Sequence, residues 1–474
     1  MMEALTYLKE AAYVLYIILI VGSVGVVISE NRNPLKTIAW VLVLTCLPVV
    51  GLVAYAVFGQ KWYKRHLIGK RSYKRTVQSP ALRELRKTRA SFPKEYAALA
   101  DLLDKTGGGT PLPGNSVVPY FDGASFIIAM LREIASARKH VHLDYYIFMD
   151  DAIGSLVADA LIDKARQGVQ MRLIVDDLGT WKAKERFFKR LQAGGVEVVK
   201  FMPVHLSIQS RINYRNHRKI TVIDGDRGFI GGMNVADRYV RGVQWGIWRD
   251  TQVMVRGYAA HQLQMVFMRD WYFVTRTSLM SPVYFPTCGM DGSASVQVAT
   301  SAPFDQWRSI MQGVVLALGR AKDYFFCQTP YFMPTEPVLC AMQSAALAGV
   351  DVRIIVPHRS DSLLTQLATR SYLKDLLSAG VKVYMYEGGF IHSKMMVSDD
   401  LLSVVGSSNM DFRSFEQNFE ANVFIYDKEA AAAIKKQFQI DQSHSRRLTL
   451  QVWKHRPRHI KVKESLVRVF SPLL

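Results

Sequence analysis

Two stretches of this chain place histidine and lysine at a spacing suited to phosphoryl chemistry. In "HRKITVID", His217 is followed at +2 by Lys219 and at +7 by Asp224. In "HSKMMVSD", His392 is followed by Lys394 and Asp399 at the same offsets. The match continues downstream. Gly231, Gly232 and Asn234 stand at +14, +15 and +17 of the first copy, and Gly406, Ser407 and Asn409 at the same places in the second. One His-x-Lys-x4-Asp is a weak signal; two copies with the same glycine and asparagine behind them mark a duplicated site.

On an extended strand, residues i and i+2 share a face, so each histidine projects together with its lysine. Asp224 and Asp399, an odd number of residues along, turn the other way and suit the bracing of the next turn. Two imidazoles, two ammonium groups and two amides are an inventory for a phosphodiester. Cations and amides neutralise the nonbridging oxygens and the charge that develops on them. One histidine can attack phosphorus while the other protonates the leaving alkoxide. His217, Lys219, Asp224, His392, Lys394 and Asp399 therefore form the candidate catalytic set, with Asn234, Ser407 and Asn409 as candidate phosphate-binding residues. Asp250 in "WGIWRDT" and Glu420 in "QNFEANVF" are candidates for orienting the imidazoles. The arrangement requires no metal or other cofactor. The cysteines Cys46, Cys288, Cys327 and Cys340 are scattered without metal-finger spacing.

Short apolar strand patterns alternating with helical ones must position these groups. "SFIIAMLREIASA" and "GSLVADALIDKARQG" read as amphipathic helices, "VHLDYYIF" and "VQMRLIVDD" as strands leading to the His217 strand. "RSIMQGVVLALGRA", "DYFFCQTPYF", "PVLCAMQSAALAG" and "VDVRIIVP" repeat the order before His392, and Gly168 and Gly195 match Gly349 and Gly380. The unit is too long for a solenoid repeat, so the reading is an α/β domain duplicated within one chain.

Ahead of the duplication stand two uncharged runs, residues 11–29 and 38–58, each long enough to cross a hydrocarbon core as a helix and joined by eight residues. They predict a membrane hairpin. From Lys61 to Lys94 there are twelve Lys or Arg residues against one acid, Glu84. The positive-inside rule keeps that flank cytoplasmic, and an anionic lipid surface would attract it. The net charge of +20 calls for an anionic partner, and its concentration beside the hairpin favours membrane lipid over nucleic acid. The predicted organisation is a two-helix hairpin over 1–60, a basic juxtamembrane linker over 61–105, a first catalytic domain over 106–285 and a second over 286–474.

The paired motifs resemble the HKD motifs of the phospholipase D superfamily. "NPLKTIAWVLVLTCLPVVGLVAYAVFG", "WRDT", "TPYFMP" and the terminal "SPLL" narrow the resemblance to bacterial cardiolipin synthases. The resemblance implies two tandem phospholipase D-like α/β lobes related by a pseudo-twofold, with the active site between them, preceded by a transmembrane helical hairpin. It implies His217 as the nucleophile and His392 as acid/base, with Glu420 and Asp250 orienting them. It implies phosphatidylglycerol and membrane lipid as substrates, in a multi-pass protein of the bacterial cytoplasmic (inner) membrane whose catalytic domains face the cytoplasm. At +15 the copies differ, Gly232 against Ser407, so a hydroxyl contact to phosphate is expected on one side only.

Rival readings use the same residues: a membrane-bound hydrolase with water as acceptor, a membrane-tethered nuclease, and a non-enzymatic scaffold. The acceptor, phosphatidylglycerol or phosphatidylethanolamine, and the oligomeric state are not legible in the sequence.

Overall fold

The computed structural model describes residues 2–29, 34–47, 49–55, 92–204, 214–279, 281–290 and 292–472. The chain divides into two units, Met1–Leu67 with Val204–Asn213, and Ile68–Pro203 with Tyr214–Leu474.

In the first unit the opening apolar run is a single helix, Met2–Ser29. Its portion Lys9–Ser29 is, among the described residues, the one helix long and apolar enough to cross a membrane. The second run departs from expectation. It forms helices Pro34–Cys46 and Val50–Ala54, with Val49 between them in the left-handed region at φ 61°. The sequence supplies Pro48 at this point, and proline has no N–H to donate and collides with the carbonyl four residues back. At 1.5 Å per residue the longer piece spans roughly 20 Å, less than a hydrocarbon core. The two apolar runs still pack on each other, Val24 and Val27 of the first with Leu44 and Tyr55 of the second, and within the second run Trp40 meets Tyr55 edge to face at 5.2 Å.

The second unit is built on one continuous sheet of fifteen strands. At its centre Leu112–Tyr120 lies between Gln252–Arg256 and Ala294–Ser301. Outward on one side follow Gln252–Arg256, Arg227–Gly231, Lys219–Ile223, His140–Tyr145, Gln170–Asp176 and Val196–Phe201. Outward on the other, from Ala294–Ser301, follow Glu420–Tyr426, Leu402–Gly406, Met395–Ser398, Tyr324–Gln328, Asp351–Pro357 and Lys382–Tyr386, with Ser445–Arg447 as an added edge. The two halves repeat one topology about the central antiparallel pair, which is the pseudo-twofold the duplication predicts. Helices cover the sheet on both sides, so strands such as "KITVI" are buried throughout, their polar residues included. Ile220 and Val222 pack with Leu263 and Val266 of helix Ala259–Thr275, whereas Ile223 packs with Phe126 and Ile134 of helix Gly123–Ser136.

The predicted linker over 61–105 needs correction at its end. Residues 61–91 lie outside the described residues, but Tyr96, Leu99 and Leu103 are buried in the core of the second half, against Ile310, Val314 and Ala317. Helix Ala97–Thr106 precedes the first half in sequence yet completes the second, because Leu99 and Leu103, one turn apart, give it an apolar stripe that must be covered. Gln297 and Ser309 lock it there by donating to the carbonyls of Ala100 and Thr106.

Candidate active site between the two halves

Each motif enters its strand at the lysine, Lys219–Ile223 and Met395–Ser398 with Lys394 just before it, and ends in a tight turn. Asp224 and Asp399 occupy those turns at φ 51° and 50°. The Asp224 carboxylate accepts the backbone N–H groups of Arg138, Lys139 and His140, and pairs with Arg227 at 3.0 Å. Burial alone would raise its pKa; those backbone donors outweigh burial and hold it below the usual range. Asp399 accepts the N–H groups of Lys322, Asp323 and Tyr324 in the same way. Both therefore leave the candidate catalytic set: they anchor the turn to the neighbouring strand and do not line the cleft.

The histidines behave differently. The His217 N–H donates to the Phe419 carbonyl, and the His217 ring donates from Nδ1 to Glu420 Oε1 at 2.9 Å. The His392 N–H donates to the Arg249 carbonyl, and its Nδ1 lies 2.6 Å from Asp250 Oδ2. Each half thus lends its partner histidine a backbone acceptor and, one residue later, a carboxylate. Short parallel pairings carry this exchange: Gly389–Ile391 runs beside Ile247–Arg249, and Asn216 bridges to Phe419. With Nδ1 occupied, both rings can present only Nε2 for chemistry. His217 and His392 line one cleft of about 420 Å³ between the halves.

Burial sets the electrostatics. It pushes His217 down to about 4, against the pull of Glu420, and His392 well below the ordinary imidazole value, with Lys394 and Lys219 adding to the effect. Both rings rest neutral. Burial likewise lowers Lys219 to about 7 and Lys394 to about 8. The lysines sit behind the imidazoles, each donating back to the carbonyl of its own histidine, and Lys394 Nζ lies 3.2 Å from His392 Nε2. Burial would raise Glu420, but His217, Lys219 and Ser407 reverse this and hold it at about 2; Asp250, where burial wins, rises to about 6.

Ser407 departs from its predicted role. Its hydroxyl donates to Glu420 Oε2, the side chain is buried, and it does not line the cleft. The pseudo-equivalent Gly232 is explained by the same geometry: a Cβ there would lie 2.1 Å from Asp250 Oδ1. Position +15 abuts the carboxylate in both halves. One half uses a hydroxyl to hold it, and the other makes room for it. Asn234 and Asn409 do line the cleft. Asn234 accepts from the Ile147 N–H and donates to Tyr239, and Asn409 donates to Asp411.

Sequence reasoning missed several cleft residues. Arg238 and Arg413 both stand at +21 of their histidines, so a comparison of the repeats carried four residues further finds them. Arg215, two before His217, shares its face by strand alternation and also lines the cleft. The aromatic walls are Tyr146, 5.1 Å from His217 just past the end of strand His140–Tyr145, and Trp248, 5.2 Å from His392, the first residue of "WRDT" in strand Ile247–Arg249.

The family model described as "Cardiolipin synthase, PLD-like domain" matches residues 130–271 and 314–442, more than half of the chain and both histidine motifs. The chain belongs to the cardiolipin synthase family. A second model, described as the phospholipase D–nuclease N-terminal family, matches residues 14–60. The chain is 37% identical to a cardiolipin synthase of Geobacillus kaustophilus over 461 residues, covering 95% of this chain and 91% of that one. It is also 37% identical to the major cardiolipin synthase of Bacillus subtilis, over 97% of this chain and 98% of that one. Among solved structures, the phosphatidylserine synthase of Haemophilus influenzae Rd KW20 superposes with a TM-score of 0.59 at 15% identity, over 76% of this chain and 95% of that one. That likeness concerns the fold: a duplicated phospholipase D-like α/β body.

Proposed function

We propose that this enzyme makes cardiolipin and glycerol from two molecules of phosphatidylglycerol through a phosphatidyl-histidine. The observation that carries the reading is the crossed pairing, which gives two neutral imidazoles, each held at Nδ1, one cleft in which to use Nε2. His217 Nε2 attacks the phosphorus of the first lipid, and the bond to its terminal glycerol breaks. His392 gives that glycerol its proton. The terminal hydroxyl of a second phosphatidylglycerol then gives its proton back to His392 and attacks phosphorus, releasing His217. One phosphodiester replaces another, so no nucleotide is consumed. Lys219 and Lys394 supply positive potential at the floor, and Asn234 and Asn409 supply amides at the wall. His392 starts neutral and needs a proton for the first step; the bound phosphodiester anion raises its pKa and provides for that.

The apolar N-terminus supports anchoring in the bacterial cytoplasmic membrane with the α/β body on the cytoplasmic face, the second apolar run crossing together with the first. Confinement of enzyme and both lipids to one surface raises their effective concentration. The test is the full chain reconstituted in vesicles of labelled phosphatidylglycerol alone. Cardiolipin and free glycerol in equal amounts are expected, and rapid denaturation during turnover should leave labelled phosphatidyl on the parent chain and none on His217→Asn. Phosphatidic acid as the sole product would replace transfer by hydrolysis.

A further inference from the structure

Transfer between two phosphatidylglycerols presents the cleft with two phosphates. One is attacked; the other belongs to the acceptor lipid and must be recognised without being attacked. The acceptor enters where the first glycerol left, with its hydroxyl at His392. Its own phosphorus lies five bonds from that oxygen, about 6 Å away when extended. The residues beside His392 decide whether this second anion is held.

Trp248 packs 5.2 Å from His392, and the guanidinium of Arg238 stacks on Trp248 at 5.0 Å. Arg238 therefore lies within about 10 Å of the imidazole, a distance a glycerol arm and a phosphate can fill. Its charge is one of those that hold His392 in the neutral form. Arg238 is exposed at the cleft and has no carboxylate partner among the described residues, unlike Arg241, which pairs with Asp237 one turn away. The indole Nε1 of Trp248 is a second, independent sign. It is a buried donor with no hydrogen-bond partner among the described residues, in a side chain that lines the cleft. A buried N–H left unpaired costs free energy that a ligand oxygen recovers. The carboxylates on this wall do not compete. Asp361 is engaged by Tyr331 and Ser360, and Asp411 by Asn409 and Ser414.

We infer that Arg238 and Trp248 form the binding site for the phosphodiester of the acceptor lipid, and so decide between transfer to a lipid and transfer to a small uncharged alcohol. This rests on the two-phosphatidylglycerol reading above. A planar guanidinium fixed on an aromatic face presents its N–H edge to phosphate oxygens with little ordering left to do.

The test compares two reactions of the full chain in vesicles: cardiolipin formation from phosphatidylglycerol, and exchange of labelled free glycerol into phosphatidylglycerol. Both need the phosphatidyl-enzyme, but only the first needs an acceptor phosphate. Arg238→Gln should lower cardiolipin formation roughly 10- to 100-fold, the range expected for loss of one charge-assisted contact, mostly as a raised KM for the acceptor. Glycerol exchange should change less than threefold, and Arg238→Lys should recover part of the loss. A parallel fall of both reactions, or cardiolipin formation at the parental rate, overturns the assignment. A parent enzyme that exchanges glycerol but makes no cardiolipin overturns the proposed function instead.

Discussion

Glu420 lies 2.9 Å from His217 Nδ1 although 203 residues separate them in the chain, and the residue before it, Phe419, accepts the His217 N–H. The histidine is aimed by the other half of the molecule through backbone and side chain together. Asp250 and Arg249 do the same for His392. Neither half holds the candidate site alone, because each supplies the carboxylate that pairs with the other's histidine.

Glu420→Gln should therefore lower kcat by roughly 10²- to 10⁴-fold with little change in KM, since it keeps the shape but weakens control of the tautomer and of imidazolium charge. Asp250→Asn should fall in the same range. Steady-state kinetics on vesicles check this, and a purely KM effect would sink it.

The cations at the floor set an alkaline limit. Lys219 and Lys394 are lowered to about 7 and about 8, so they are charged below those values and neutral above them. The rate at low substrate should decline as pH rises from about 7 to 9. Stability should move oppositely on this account, because the unfolded chain keeps both lysines protonated to a higher pH and folding then releases protons. On the acid side, activity should fall as pH drops towards 4 and His217 becomes protonated. A pH profile run beside thermal unfolding separates the effects; a rate flat to pH 10 contradicts the lysine assignment.

Asp224→Ala should cost about 2–4 kcal/mol of stability, for a carboxylate holding three backbone N–H groups and Arg227. The fraction that remains folded should retain most of its kcat. Denaturant unfolding combined with active-site titration reads both quantities, and a kcat collapse at unchanged stability would return Asp224 to the catalytic set.

Gly232→Ala places a methyl where Asp250 Oδ1 now sits, so it should displace that carboxylate from His392 and reduce kcat roughly 100-fold or more. Ser407→Ala removes one donor from Glu420 without a clash and should cost less than about tenfold. Equal effects of the two changes would contradict the different roles assigned to position +15.

Much of the site was legible before folding was considered. The two His-Lys pairs, their shared face and the outward turn of Asp224 and Asp399 follow from duplication and period-2 alternation, which act over a few residues. The asparagines at +17 reach the cleft as the repeat implies. Arg238 and Arg413 were equally legible at +21. Ser407 was misjudged because a hydroxyl near a predicted phosphate site looks like a ligand until its buried carboxylate neighbour is known. The end of the basic linker was misjudged because nothing local says that Leu99 and Leu103 cover the second half rather than the first.

What the sequence determined by itself is the local chemistry: which strands carry imidazole and ammonium together, that there are two such strands, and that an apolar, basic-flanked segment precedes them. What only the tertiary structure decided is the crossing. The antiparallel meeting of Leu112–Tyr120 with Ala294–Ser301 joins the two half-sheets about a pseudo-twofold, and the short parallel pairings bring Phe419 beside His217 and Arg249 beside His392. Side-chain alternation is fixed within a strand by backbone geometry, but the partner of a strand hundreds of residues away is fixed only by the packing of the whole sheet.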